Sequence, residues 1–538
     1  MNGAQRLLAA LALVSAPLAL GGGSCGGRAT IDRSGGGGNP DLGIECTPLP
    51  GAFPAGLDFI PGQPERLVVA NFVPSALLPF DSDPVPPSIA VSTSVPSLPS
   101  DSDGDGRAEG SPLLPLAPAL DGVLGVAPGI AFATASGYEE VLFVNADEGS
   151  LRSFTVATPA SLALTDYPLL PPPGSSAPRT AVSTLACVPF PSEALDSRGD
   201  PLASSPLCAA GNLLTTFTSG AALADGHLFV TTSNVGEDAG TANTQFLPGS
   251  VLVYDVDLAV VPPRVAPNAL VRAIFTSAFN PTDATPVVTP GGRSLVLVTA
   301  SGAIGVRTDD PQTPAIEGGG VALSDAAIDV IDPVTLQLVA SVPLGRAGLS
   351  FDRLAVDPGR RVAFTGSATG RHLYAIDLAA LDAIPPLAPV DPPVLLDGSD
   401  ARAGFQDARI FDATHPLEVD ALPDGAPAES CDGFVVAAAF DHSGARLFAT
   451  EFCDGTIAVV DVDLSGSLPV PVPADRFTLL RVRPVTAPVG PAGLGEPRAP
   501  GPLAVRPGEP GVDFDGPDLF FLVGDPEGSL CVVESARL

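Results

Sequence analysis

Arg361-Val-Ala-Phe-Thr-Gly366 followed by Leu373-Tyr-Ala-Ile-Asp377 is the stretch that decides the fold. Both runs are apolar on both faces, too short for helices, and separated by small and polar residues, so they read as consecutive buried strands. Just upstream, Asp352–Asp357 forms a further run that closes on the turn Pro358-Gly359. The unit is therefore strand A, a tight turn, strand B and strand C, with an acid at the end of C. It returns as Arg446-Leu-Phe-Ala-Thr450 with Ile457-Ala-Val-Val-Asp461, and as Asp518-Leu-Phe-Phe-Leu-Val523 with Leu530-Cys-Val-Val-Glu534.

Extended along the chain, the pattern predicts seven units. Strand A falls at Leu57–Ile60, Gly129–Thr134, Gly220–Ala224, Thr285–Thr289, Asp352–Asp357, Phe434–Asp441 and Pro502–Arg506. Gly- or Pro-containing turns follow each, as positive or preset φ requires. Strand B falls at Leu67–Ala70, Val141–Asn145, Leu228–Thr232, Leu295–Thr299, Val362–Thr365, Leu447–Thr450 and Leu519–Val523. Strand C ends at Asp81, Thr155, Asp255, Asp332, Asp377, Asp461 and Glu534. The acids at these ends are expected to satisfy backbone donors in the turn after strand C. One such unit cannot bury both of its faces, so neighbouring units must stack. Radial stacking of four-stranded sheets gives an all-β, seven-bladed β-propeller, a single domain over residues 41–538.

In the fourth unit, Ala327-Ile-Asp-Val-Ile-Asp-Pro-Val-Thr-Leu-Gln-Leu-Val-Ala-Ser-Val-Pro-Leu-Gly345 resembles the third and fourth strands of the YVTN family of seven-bladed propellers. Phe229-Val-Thr-Thr-Ser-Asn234 is similar to that family's Tyr-Val-Thr-Asn strand. The resemblance is most specific in the fourth to sixth units. It implies a fold, since the family has no common catalytic residues.

The ends suggest how the ring closes. The seventh unit stops soon after strand C, and Leu42-Gly-Ile-Glu-Cys-Thr47 is placed to supply its missing outer strand. Cys46 would then face Cys531 within disulfide reach. Cys431 and Cys453 flank the sixth unit's hairpin and form the second expected pair, and Cys187 and Cys208 pair within one long insertion. Free buried thiols are the alternative.

At the amino terminus, Arg6 precedes the apolar stretch Leu7–Leu20, which is too short to span a bilayer and reads as an export signal. Ser24-Cys25-Gly-Gly resembles the lipobox of bacterial lipoproteins, in which the cysteine is lipidated. That family expects Leu three places before the cysteine, where Gly22 stands here, so ordinary cleavage is the other reading. Residues 26–40 are then a Gly-rich tether, and the protein is expected in the cell envelope, periplasm or extracellular space. That compartment is oxidising and suits the six remaining cysteines.

Sixty acids against 26 basic residues give a net charge of −34, which disfavours nucleic acid and leaves a membrane reachable only through a lipid anchor. Asp101-Ser-Asp103-Gly-Asp105-Gly-Arg107-Ala-Glu109 places carboxylates at alternate positions before a glycine, as the first half of an EF-hand loop does. Arg107 would add its carbonyl and Glu109 a carboxylate, but Pro112 occupies the position of the bidentate acid. A structural Ca²⁺ and a solvated acidic turn both fit. A second constellation, His372 with Asp407, Asp412 and His415, lacks any metal-ligand spacing and reads chiefly as a loop. Motifs for nucleophilic, phosphate or haem chemistry are missing.

The long additions are placed between strands B and C (235–248, 303–324) or between units (84–127, 159–219, 262–284, 385–430, 469–501), which predicts one decorated rim and one bare rim. The leading expectation is a non-enzymatic envelope protein that binds a protein or glycan through the decorated face. A propeller hydrolase of lactonase type, or a quinone-dependent oxidoreductase, would instead use acids and a metal in the central channel. Strand A, mostly Ala, Val, Leu and Phe, argues against it. A surface-layer component is the third reading.

Overall fold

In the computed structural model the described residues comprise the strand segments between 45 and 183 and most of 186–387, 405–419, 435–484, 499–507 and 518–538. The chain is all-β. Among the described residues seven antiparallel sheets hold four or five strands each, and two small hairpins accompany them. Numbered along the chain, sheet 1 contains Pro54–Phe59, Leu67–Asn71, Ser88–Ser92 and Leu113–Pro115. Sheet 2 is built from Ile130–Ala135, Tyr138–Asn145 and Ser150–Ala157, the last flanked by both Ser161–Leu164 and Ala181–Ser183. Sheet 3 is Thr218–Ala224, His227–Thr232, Ser250–Asp257 and Arg264–Phe275; sheet 4 is Pro281–Val288, Ser294–Ala300, Ala326–Asp332 and Gln337–Gly345. In sheet 5, strand A is only Ala355–Val356, followed by Val362–Gly366 and His372–Asp377, and the outer edge is shared by Arg409–Phe411 and Leu417–Glu418. Sheet 6 is Val435–Phe440, Arg446–Glu451, Thr456–Val462 and Phe477–Pro484. Sheet 7 joins Ala499–Val505, Leu519–Gly524 and Ser529–Val533 to Glu45–Pro48 from the other end of the chain.

That last pairing is antiparallel and sets Cys46 directly opposite Cys531. Cys531 is fully buried and disulfide-bonded. Cys187–Cys208 is a disulfide with Cα atoms 5.6 Å apart. Cys431 and Cys453, like Cys25 and the loop Asp101–Glu109, lie outside the described residues.

Apolar layers join successive sheets, which explains strands that are apolar on both faces. Phe229, Val251 and Val253 of sheet 3 pack with Val296, Val298 and Ile331 of sheet 4. Similar layers join sheets 4 and 5, 5 and 6, 6 and 7, and finally 7 and 1, where Phe520 meets Phe59 edge-on at 5.3 Å. Strand A carries a register shift opposite the end of strand B in sheets 1, 3, 4, 6 and 7. In sheets 3, 4 and 6 a strand-B threonine serves the bulged amide. Thr231 Oγ1 accepts from Gly220 N at 2.7 Å, Thr299 Oγ1 from Asp283 N at 3.0 Å and Thr450 Oγ1 from Ala437 N at 3.2 Å. The threonines at the ends of these apolar runs thus lock each A–B pair.

Two expectations need correction. The third strand of the first unit is Ser88–Ser92, not a run ending at Asp81, because prolines crowd the earlier segment and cannot donate to a ladder. The spans assigned between units also contain the fourth strands: Leu113–Pro115, Ser161–Leu164 with Ala181–Ser183, Arg264–Phe275, Arg409–Phe411 with Leu417–Glu418, and Phe477–Pro484. Residues 93–112, 378–408 and 463–476 therefore connect strands C and D. In an antiparallel sheet that connection leaves by the same edge as the A–B turn. Contacts agree: Gly291 N, in the A–B turn of sheet 4, donates to Asp382 Oδ2 at 2.8 Å, and Arg361 donates to Gly466 O. Neither rim is bare.

Acids in the C–D turns behave partly as expected. Asp332 accepts from Val334 N at 3.0 Å and Asp377 from Ala379 N at 2.8 Å. Asp255 instead lies 3.2 Å from Nε2 of the half-buried His227.

Candidate functional site

Three aspartates and an arginine, far apart in sequence, meet where the first strands of different sheets approach one another. Asp58 interrupts the apolar run Leu57-Asp-Phe59 in strand A of sheet 1. Asp283 sits on the bulge of strand A in sheet 4. Asp352 and Arg353 precede strand A of sheet 5, where pairing begins only at Ala355. Arg353 Nη1 donates to Asp58 Oδ2, and the Arg353 backbone N–H donates to Asp352 Oδ1 at 2.9 Å. Leu503 N–H, on strand A of sheet 7, also donates to Asp352. Four sheets thus contribute to one polar cluster.

The cluster is enclosed but reached by water. The side chains of Arg353 and Asp58 keep 29% and 30% of their surface, whereas Asp283 is only 4% exposed. Enclosure dominates the electrostatics. Desolvation drives Asp283 up to about 8, with Arg353 opposing the rise and Asp352 and Asp58 adding to it. Desolvation likewise pushes Asp352 up to about 7, against the Arg353 amide and guanidinium. The Asp58 carboxyl is raised by burial, with Arg353 and the Phe59 N–H holding it back. Asp283 and Asp352 are therefore proton carriers in the neutral range.

Partnering within the cluster is uneven. Asp58 has Arg353 and Phe59 N at 2.8 Å, and Asp352 has two backbone donors. Asp283 Oδ2 is buried with no donor from the protein, and the strand-B hydroxyl of Thr365 in sheet 5 is likewise buried without a partner. A glycine makes room for Asp283. A Cβ on Gly220 would lie 2.4 Å from Asp283 Oδ1 and 2.5 Å from its Cα, so only glycine allows this approach of sheets 3 and 4.

The constellation singled out around His415 does not assemble into such a site. Asp412 accepts from Thr414 N at 2.9 Å and His415 N at 3.0 Å, a local Asx turn, while Arg409 lies 3.0 Å away. The His415 side chain is 88% exposed and 3.9 Å from Asp412. His372 faces Glu418 at 2.8 Å instead, and Asp407 lies in an exposed 3₁₀ turn. Among the described residues no three His, Cys, Asp or Glu side chains stand close enough to hold one metal ion. Sequence reasoning missed the cluster because sheets 1, 4 and 5 supply one acid each, from segments far apart in the chain. The only local signal was an acid interrupting an apolar run.

A disulfide-bonded module stands beside sheet 3. The hairpin Cys187–Pro189 with Asn212–Leu214 sends Val188 and Leu213 into that sheet's core. Asp196 accepts from Arg198 N at 2.8 Å and Asp200 N at 2.9 Å, and Gln245 reaches it from the insertion between strands B and C.

No family description matches the chain, and no curated protein resembles it in sequence. Among solved structures it is similar to hydrazine synthase of Kuenenia stuttgartiensis, at 12% identity and a TM-score of 0.43, over 91% of this chain and 97% of that one. It is also similar to the WD40 domain of Toxoplasma gondii coronin, at 10% identity and a TM-score of 0.38, covering 91% and 85%. The periplasmic gluconolactonase of Pseudomonas aeruginosa matches at 14% identity and a TM-score of 0.34, covering 72% and 80%.

Proposed function

We propose that the protein is a seven-bladed β-propeller, closed by its N-terminal strand, that binds a small ligand in the central recess without transforming it. The observation that carries this reading is the convergence of Asp58, Asp283, Asp352 and Arg353 from separate sheets into one polar cluster, open to water at Asp58 and Arg353. Polar groups gathered at such a cost in desolvation are retained for what they bind. The recess replaces the decorated face as the binding region, since insertions leave by both rims. The ring is supported by the shared apolar layers and the pairing of Glu45–Pro48 with the last strand; its lock is a Cys46–Cys531 bond. A thermal-shift screen of amines, sugars and lactones tests the binding reading. Stabilising compounds should lose their effect in Asp58→Asn and Asp352→Asn proteins that retain a native circular-dichroism spectrum. Compounds that keep their full effect in both variants would place binding elsewhere.

A hydrolase of lactonase type is the second reading, favoured by two acids that carry protons in the neutral range beside a guanidinium able to steady a developing oxyanion. It predicts lactone turnover with a bell-shaped pH profile between the two values near 7 and 8, abolished in Asp283→Asn. Flat or absent turnover discards it.

The sequence further supports export, with lipidation at Cys25 and a weak Ca²⁺ site at Asp101, Asp103, Asp105, Arg107 and Glu109 that stiffens its loop. Mass spectrometry of the mature N-terminus checks the first. Calcium-dependent protection of the loop from proteolysis, lost in Asp103→Asn, checks the second.

A further inference from the structure

We infer that the recess takes an organic cation, a primary ammonium or guanidinium group whose N–H donors are accepted by Asp283 with help from Asp58 and Asp352. The inference rests on the reading of the recess as the ligand site and specifies its chemistry. Its starting point is the uneven partnering of the three acids. Asp58 and Asp352 are each served by donors from Arg353 and the backbone, whereas the Oδ2 atom of the 4%-exposed Asp283 has none. A buried carboxylate oxygen without a donor is costly, and a ligand N–H removes that cost.

Charge selects among donors. Three acids face one arginine, so the ionised recess carries two negative charges in excess, inside a chain of net charge −34. An enclosed, low-dielectric pocket focuses that field on incoming cations. A neutral polyol could donate hydrogen bonds but would leave the excess charge uncompensated. A bare metal ion needs several oxygens at ligating distance, and among the described residues no trio of acids, histidines or cysteines provides them. An ammonium or guanidinium bridges longer spans through N–H···O contacts of about 2.7–2.9 Å on each side. Protons are the remaining competitor, since both Asp283 and Asp352 hold them near neutrality, and a bound cation must expel them.

That competition supplies the test. The full chain is titrated calorimetrically at pH 7 with agmatine, spermidine, glucose and Ca²⁺, each in two buffers of different ionisation enthalpy. Agmatine or spermidine should bind with release of about one proton and raise the melting temperature. Asp283→Asn should weaken binding at least tenfold and cut the proton release to the share of Asp352, and Asp58→Asn should weaken binding if the first variant fails to fold. If glucose or Ca²⁺ binds as well as the amines and depends on Asp283, the recess reading stands and the cationic class falls. If amine binding is indifferent to both substitutions, both ideas fall. If no probe binds and acidification alone stabilises the protein, protons are the occupants and the inference is overturned.

Discussion

Sheets 4 and 5 share a motif and differ where it matters. In sheet 4 strand A runs for eight residues, and the hydroxyl of Thr299 accepts from the amide of Asp283 at the bulge. In sheet 5 strand A shrinks to two residues, and the equivalent Thr365 hydroxyl has no partner. The residues released from pairing are Asp352 and Arg353, which turn to the recess. Local order is relaxed in sheet 5 at the place where polar groups are delivered, and kept in sheet 4, which delivers only one. A departure from an otherwise repeated rule marks a site more sharply than composition does.

The largest expected effect is on pH-dependent stability. Asp283 and Asp352 have folded-state pKa values raised above those of the unfolded chain, to about 8 and about 7. Such groups favour the folded state fully below the unfolded value near 4, and that contribution is lost as pH rises through 7 and 8. The free protein should therefore be less stable at pH 8.5 than at pH 5, by on the order of a few kcal/mol from the 1.4 kcal/mol that each pKa unit represents. Urea midpoints across that range measure it. Asp283→Asn should remove the larger share of the slope, and an unchanged slope would show that the recess does not govern it.

Next comes Arg353, the guanidinium that sheet 5 sends across to Asp58. Arg353→Gln leaves Asp58 enclosed without its counter-charge. A fully buried pair costs about 3–5 kcal/mol to break from one side, and the partial exposure here reduces the expectation to about 2 kcal/mol at pH 7. The loss should shrink as pH falls to 5, where Asp283 and Asp352 hold protons and the raised Asp58 carboxyl protonates more readily than a free one. Pairing the substitution with Asp58→Asn should recover most of it. Strict additivity in that double-mutant cycle would mean that the ion pair carries nothing.

How much of this contrast was legible in sequence differs between the two sheets. Strands B, the C strands after the first unit, the pairing of an N-terminal strand around Cys46 with the last sheet and the Cys187–Cys208 pair could be read because each is a local pattern: an apolar run, a turn or a cysteine spacing. Strand A of sheet 4 was read as beginning at Thr285, four residues late, because Pro281-Thr-Asp283 looked like loop. The recess was invisible for the same reason. Asp58 and Arg353 are 295 residues apart, and only the approach of separate sheets brings them together. The constellation at His415 shows the converse, since acids close in sequence merely shape a turn.

Gly220 tests how tightly sheet 4 must hold its acid. A methyl group there would meet Asp283 Cα at 2.5 Å, a backbone atom that cannot swing aside. Gly220→Ala should cost about 1–3 kcal/mol as overpacking. It should also weaken amine binding by displacing Asp283. Stability lost without any change in binding would separate the strand approach from the site.

The smallest effect addresses the comparison most directly. Thr450 in sheet 6 represents the regular pattern: its hydroxyl accepts from Ala437 N and donates to Gly501 O of sheet 7 at 2.8 Å. Thr450→Val preserves volume but strands a buried amide and a buried carbonyl, at about 1–2 kcal/mol. Thr365→Val makes the same chemical change in sheet 5, where the hydroxyl serves neither strand, so it should be neutral or slightly stabilising. The pair of substitutions holds residue type, burial and strand position constant and varies only the partner. Equal losses in the two variants would mean that sheet 5 keeps the bond after all, and the relaxation that frees Asp352 and Arg353 would need another cause. A loss confined to Thr450→Val would tie the orphaned hydroxyl to the shortened strand, and through it to the recess.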